Sequence, residues 1–418
     1  MNARLIGNGW TRDAEGSRTI RSLTACMLGE STANKKAACL IANTIEDNLI
    51  RRHWPHGAIY GGEAELIKCF GVGRTIVREA VRILDMRGSA RMRPGPHGGL
   101  RVLVPEREPC AATVASYIHL KATEAIAVHE AQTLLDRTCA RLLSREGKNY
   151  GSAKPDLQQI FSIAFSLFGS ILADLSDLQS RRASPHLAKG YHSRAEQIAR
   201  SVLTTHRRED WLSGIRIGSA SQLCERYHAD RSIVRQAIRV LESGELAVAE
   251  CGRGRGLRSQ TPGPATVSRL VSCYFAAHGF APADAMMLFR ALAEEATASV
   301  VHCAEPAHID RFARSLDTLR AADSATAADA LRAVESCQFA ALNNPLIDFF
   351  LLCTRVYSTY FVGDVSHCRA VDAVYLDAAR ELLIAIEARD EDRALAAERR
   401  KQAALALALS HPWNVQAS

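Results

Sequence analysis

Aromatic residues are scarce, 6% of the 418-residue chain, and Val-rich alternating segments are few, whereas Ala and Leu fill long stretches. That balance excludes a sheet-built sandwich or barrel and predicts a mostly α-helical protein. Also missing is any uninterrupted apolar run of about eighteen residues, the length a membrane-crossing helix needs. The N-terminus shows no charged, apolar and small-residue leader pattern. The expectation is a cytoplasmic protein without a membrane partner. The twelve cysteines stand singly, with no Cys-x-x-Cys pair, so packed reduced thiols are expected rather than disulfides or a zinc ribbon. A nucleophile elbow, a phosphate loop, a zinc-protease helix and a nicotinamide fingerprint are all absent, which argues against an enzyme and leaves no cofactor to expect.

What is present is length for two to four compact modules and an uneven charge. Residues 43–104 carry 10 Lys/Arg against 6 Asp/Glu and residues 194–260 carry 12 against 8, so each stretch is +4. Residues 261–418 carry 14 against 19 and are −5, which would repel a phosphate backbone. Binding to a polyanion therefore belongs to the two basic stretches.

Those stretches are related to each other. Residues 57–101 align without a gap on 214–258 at a constant offset of 157, with fifteen identities that include Gly57/Gly214, Leu66/Leu223, Arg74/Arg231, Arg78/Arg235 and Arg82/Arg239. Two copies at so long a period indicate duplication of a whole domain rather than a solenoid.

Within the first copy, Leu66, Ile67 and Phe70 fall at helical spacing, Gly71-Val72-Gly73 breaks the pattern, and a second helix follows. Its Ile76, Val77, Ala80, Ile83 and Leu84 form an apolar stripe, while Arg74, Arg78 and Arg82 recur every fourth residue on another face. The segment Arg91–Val104 is basic, Gly- and Pro-rich at its centre, and reads as a β-hairpin or wing. The second copy repeats the scheme with the helix Ser221–Tyr227, a turn at His228-Ala229, the helix Asp230–Leu241 and the wing Gly252-Arg-Gly-Arg-Gly256. Arginines at such spacing on one isolated helix are more commonly a solvated face. Their recurrence in both copies beside a basic hairpin favours double-stranded DNA, since the N-terminal side chains of a helix in the major groove reach base edges and phosphates. The predicted DNA-binding residues are Arg74, Thr75, Arg78, His97, Gly98, Arg231, Ser232, Arg235, Arg253 and Arg255.

Phe70-Gly-Val-Gly-Arg-Thr-Ile-Val-Arg-Glu-Ala80 closely resembles the recognition motif of the GntR family of bacterial transcription regulators, and Tyr227–Ala237 resembles it more loosely. Where that family often has Ser-Glu-Arg at the start of the first helix of the motif, Gly62-Glu63-Ala64 and Ser219-Ala220-Ser221 stand here. Farther on, Arg290-x-x-x-Glu294, Asn344-Pro345 and Glu381–Asp390 resemble the helical FCD effector domain of the FadR-type subgroup, over most of residues 283–405. The resemblance implies a regulator, expected to repress, in the bacterial cytoplasm at the nucleoid. It also implies a small anionic effector and a homodimer. The positions where it implies metal ligands fall on Leu331, Glu335, Ala379 and about Lys401, so no metal is expected. The dispersed His302, His308 and His367 are read as surface or core histidines. Arg290, Glu335 and Lys401 are weak candidates for an anionic effector, with surface ion pairing as the commoner explanation for each.

The expected fold is mostly α: two winged helix-turn-helix domains, each followed by an all-α region, the second a full bundle. The expected order is a flexible 1–33, a winged domain 34–105, a shortened helical domain 109–180 containing a loop at Gly147–Pro155, and a linker 181–190. A second winged domain 191–260 and a bundle 265–410 complete it, the bundle helices being Ala283–Val301, Ala307–Ala321, Ala327–Ala341, Leu346–Phe361, Ala370–Ala388 and Glu391–Leu409. Differences at Gly73/Asp230, Thr75/Ser232 and Glu79/Gln236 predict related but unequal half-sites. The alternative is an interaction protein whose duplicated winged domains no longer bind DNA.

Overall fold

The computed structural model describes residue 28 and residues 36–95, 98–121, 124–144, 156–180, 193–250, 256–323, 326–361 and 369–409. Nearly all of the expected flexible segment 1–33, the expected loop 147–155, the expected linker 181–190 and His367 lie outside the described residues. Helices dominate, with two small antiparallel sheets. The chain divides into two compact units, one made of residues 1–125 and 166–279, the other of residues 126–165 and 280–418.

The first unit contains two blocks that share an order of elements, the second with a short helix and a strand besides. In the first block α1 (Ala37–Arg51), α2 (Glu63–Phe70), α3 (Arg74–Met86), β1 (Ala90–Arg93), β2 (Gly99–Val102) and α4 (Arg107–His119) follow one another. Helix α5 (Ala125–Ser144) and helix α6 (Ser166–Ser180) lie between the blocks in sequence. The second block has α7 (Arg194–Thr205), α8 (Arg208–Leu212), β3 (Arg216–Gly218), α9 (Ala220–Tyr227), α10 (Arg231–Ser243), β4 (Ala247–Glu250), β5 (Gly256–Ser259) and α11 (Pro264–Ala277). Adding 157 to the bounds of α2, α3, β1 and β2 gives the bounds of α9, α10, β4 and β5, and α11 is one residue longer than α4 so shifted. Even the isolated bridge Ile59–Arg101 has its counterpart in the pairing Arg216–Arg258 of β3 with β5.

The local causes are legible. Val77, Ala80 and Leu84 are the buried side of α3, as Val234, Ala237 and Leu241 are of α10, and the remaining faces carry charge. The reversal between α2 and α3 uses the left-handed Gly71 (φ 64°), and His228 (φ 46°) makes the same turn between α9 and α10 at a steric cost glycine lacks. At the β1–β2 hairpin the Gly98 amide donates to the Gly95 carbonyl at 2.8 Å, and a Cβ on Gly98 would stand 2.2 Å from the Arg93 carbonyl oxygen, so only glycine closes that turn. Helix α4 packs on α6, and α11 packs on α1 and α4. By length and composition the helical run Leu157–Gln179 is apolar enough to cross a membrane. Its Leu167, Phe168, Ile171 and Leu175 are fully buried.

The second unit gathers α5, a π-helical turn at Ile160–Phe165, and α12 (Pro282–Cys303), α13 (Pro306–Ala321), α14 (Ala327–Phe339), α15 (Pro345–Thr359), α16 (Arg369–Glu387) and α17 (Glu391–Leu409). Helix α12 is buried on nearly every face, which makes it the centre of the bundle, with α15 and α17 against it. Pro282, Pro306 and Pro345 each stand in the first turn of their helices, where a missing N–H costs nothing. The six helices begin and end within two residues of the bounds read from amphipathic periodicity.

Residues 109–180 are shared between the units rather than forming one of their own: α4 and α6 belong to the first, α5 to the second. Helix α5 docks through Arg141, which pairs with Glu294 at 2.9 Å and with Glu295, both on α12. The Asn344 side chain, besides capping α15, donates to the Ala127 carbonyl at 2.9 Å and to Glu130 at 3.0 Å. Likewise α11, within the range expected for the bundle, belongs to the first unit.

Candidate nucleic-acid interface

The exposed face of α3 presents Arg74, Thr75, Arg78 and Arg82, and that of α10 presents Arg231, Ser232, Arg235 and Arg239. Because residues at i, i+4 and i+8 fall on one face of a helix, each arginine row lies along one side of its helix. The two rows differ in their neighbours. Glu63, at the first turn of α2, forms an ion pair with Arg74 at 3.2 Å and accepts a hydrogen bond from Arg78 at 3.0 Å, while those arginine side chains remain 70% and 59% exposed. Ala220 stands at the matching place in the second block. Among the described residues no carboxylate lies within ion-pair distance of Arg231 or Arg235. Of the other predicted contacts, Gly98 shapes the hairpin turn, as described, while His97, Arg253 and Arg255 lie outside the described residues.

Helices α3 and α10 touch, and a cleft of about 580 Å³ between the blocks is lined by Thr75, Glu79 and Arg82 of the first and by Arg239, Glu242 and Arg258 of the second. A sealed ionic knot fastens the blocks behind it. The Arg87 guanidinium, 2% exposed, donates to Glu46 at 2.8 Å, to Asn43 at 2.9 Å and to the Ser243 carbonyl at 3.2 Å. Arg269 of α11 donates to Glu46 at 3.0 Å, and the Ser89 hydroxyl donates to its other oxygen at 2.7 Å. Glu245 accepts from Thr266 at 2.8 Å and from the Cys39 thiol at 3.1 Å. Burial alone would lower the pKa of Arg87 and Arg269, but the Glu46 carboxylate outweighs it and both are raised, so both guanidinium groups stay charged. Burial, reinforced by Glu245, pushes the Cys39 thiol up and keeps it protonated. No sequence motif announces this group, because its members come from α1, the end of α3, the α10–β4 turn and α11.

In the second unit Glu335 and Lys401, expected at a bundle surface, are both buried. The Lys401 ammonium lies 3.0 Å from Glu335 and 3.0 Å from Glu398 and also donates to the Gln338 side-chain oxygen. The Tyr375 hydroxyl donates to Glu335, and the Gln338 amide donates to Glu398 at 2.9 Å and to Thr297 at 3.0 Å. Burial would lower the Lys401 pKa, yet the two carboxylates raise it. Burial works to raise Glu335, but Lys401 and Arg355 overcome it and the pKa is lowered, whereas Glu398 stays raised by burial. This oxygen cage already holds its cation, the ammonium, and so does not fit a divalent metal. Arg290 is half-buried on α12. Among the described residues no group of three or more His, Cys, Asp or Glu is placed to hold a metal ion.

No protein-family profile matches the chain. A stretch of 71 residues is 37% identical to an uncharacterized HTH-type transcriptional regulator, YieP, of Escherichia coli (strain K12); it covers 17% of this chain and 30% of that protein. The chain thus spans less than a third of the length of the curated relative it matches. Among solved structures, Streptococcus agalactiae GntR aligns with a TM-score of 0.38 at 15% identity, over 50% of this chain and 98% of that one.

Proposed function

We propose that the chain is a sequence-specific DNA-binding transcription regulator of the GntR kind, in which the two blocks are duplicated winged helix-turn-helix domains. The observation that carries this reading is the pair of exposed arginine rows on α3 and α10, at matching positions 157 residues apart and inside one compact unit. The 37% identity with an HTH-type regulator over 71 residues supports it. Arg74, Thr75, Arg78, Arg231, Ser232 and Arg235 contact base edges and phosphates, and the basic hairpins, with His97, Gly98, Arg253 and Arg255, contact the flanking backbone. Where a regulator with one such domain per chain needs a second copy to read two half-sites, one chain here supplies both.

The second unit is the helical effector or dimerisation module, of the FCD kind, and the output is repression. Its Lys401 cage argues for a cation built into the bundle rather than recruited to it. Because α3 and α10 carry Gly73 against Asp230, Thr75 against Ser232 and Glu79 against Gln236, the DNA element has two related but unequal halves. Selection of duplexes from a random pool tests this. An asymmetric pair of half-sites is the expected result; a perfectly palindromic element, or no enrichment at all, contradicts it.

A further inference from the structure

The ionic knot has a counterpart place in the second block, where α7, α10 and α4 meet as α1, α3 and α11 meet in the first. At the constant offset of 157, Leu203 stands for Glu46, Gly244 for Arg87, Ala112 for Arg269, Leu246 for Ser89 and Pro109 for Thr266. All five of these replacements line one partly enclosed cavity of about 150 Å³. Two guanidinium groups have been exchanged for the side chains of glycine and alanine, and the volume they would fill is left open. On the Gly244 side the wall is closed by Thr113, whose side chain would stand 3.0 Å from a Cβ on Gly244, so the open space lies beyond that contact.

We infer that this cavity is a binding site for a neutral, chiefly apolar molecule of about the size of benzene. Its volume, about 150 Å³, is that of cavities that accept benzene. Its walls are apolar for the most part, with Leu203, Leu241 and Leu246 of the second block facing Cys110, Ala112 and Leu270. Of the charged groups in its lining, Arg87 pairs with Glu46 at 2.8 Å, Arg200 pairs with Asp174 at 2.8 Å, and Glu196 accepts from the Ser193 amide at 2.7 Å, while Glu106 is exposed to solvent. Because both guanidinium charges are already matched by carboxylates of the protein, an anion would bring an uncompensated charge into the lining, at a desolvation cost. Burial raises the Cys110 thiol to about 12, so this wall is uncharged as well. Because Met86 and Arg87 at the end of α3 share the lining with Val240 and Leu241 of α10, an occupant acts on the packing that spaces those two helices. That consequence rests on the DNA-binding reading; occupancy of the cavity does not.

The test is calorimetric titration of the full chain with benzene and, separately, with benzoate, together with the variants Ala112→Leu and Cys110→Ala. Saturable binding of benzene is expected in the wild type, at least tenfold weaker for benzoate. Ala112→Leu, which fills the space, reduces benzene affinity at least tenfold. Cys110→Ala, which enlarges it, shifts the preference from benzene toward toluene, and this second variant keeps the test decisive if the first fails to fold. Absence of saturable benzene binding, equal binding of benzoate, or unchanged affinities in both variants overturns the assignment. Since no DNA enters the experiment, its failure is distinguishable from failure of the proposed regulatory role.

Discussion

The first block closes its rear junction with Glu46, Arg87 and Arg269 in a sealed ionic group, whereas the second has Leu203, Gly244 and Ala112 at the matching positions and keeps a void. Of the elements framing the two places, α3 and α10 match in length and α4 and α11 differ by one residue, while α7 ends three residues earlier than α1 does at the offset of 157. The backbone frame therefore depends on the apolar stripes, Val77, Ala80 and Leu84 in one block and Val234, Ala237 and Leu241 in the other, rather than on what fills the joint behind them. The joint is where the blocks differ in chemistry. One is held by charges that are costly to separate; the other is free to accept something.

The sharpest way to break this comparison is to unbalance the knot. Glu46→Ala leaves Arg87 and Arg269 buried without their shared carboxylate and is expected to cost about 3–5 kcal/mol of stability, read by urea unfolding. Replacing Glu46, Arg87 and Arg269 together by Leu, Met and Met makes the first joint as apolar as the second and is expected to cost less than the single change; a larger cost contradicts the account. Lys401→Met in the second unit should be comparable, about 3–5 kcal/mol at neutral pH, because Glu335 and Glu398 then lose the ammonium that both of them share. The sign with pH follows from Glu335, whose folded pKa is lowered. Its contribution is present above the ordinary carboxylate range and lost as pH falls through the lowered value. The deficit of Lys401→Met therefore shrinks on acidification, as the two carboxylates protonate, and a deficit that grows would contradict the cage.

The arginine rows give the next smaller effects. Replacing Arg231 and Arg235 by Ala is expected to cost about 1–3 kcal/mol of DNA-binding free energy for each base edge no longer read, and replacing Arg74 and Arg78 somewhat less, because Glu63 already competes for that pair. Glu63→Gln should then strengthen binding by about 0.2–1 kcal/mol, the worth of exposed ion pairs, and narrow the difference between the rows; fluorescence anisotropy on a labelled duplex measures both. Comparable in size, His228→Gly brings the second turn to the chemistry of Gly71 and should stabilise the protein by about 1 kcal/mol in thermal unfolding.

Periodicity disclosed α2, α3, α9 and α10 and all six of α12–α17, because an apolar stripe is a local property, but it did not disclose α1, α4, α7, α8 or α11. What else it left out is non-local. Nothing in the pattern of α5 says that Arg141 meets Glu294 and Glu295 more than 150 positions away, so the segment 109–180 reads as one region although it serves two units. Glu335 and Lys401 were readable as candidates only by resemblance; that they are buried against each other depends on α14 and α17 converging. The Glu46–Arg269 pair joins α1 to α11 across 223 positions and leaves no motif. The cavity is legible in the sequence only after the knot is known, as small residues at matching positions.

The central claim, that one chain reads DNA with both blocks, is tested most directly by the salt dependence of binding to a selected duplex. Wild type should show an affinity falling steeply and linearly with the logarithm of salt concentration. Both Arg74→Ala/Arg78→Ala and Arg231→Ala/Arg235→Ala should weaken binding, with the slope reduced by about 1 for each phosphate no longer neutralised. Affinity and slope unchanged in both double variants would contradict it.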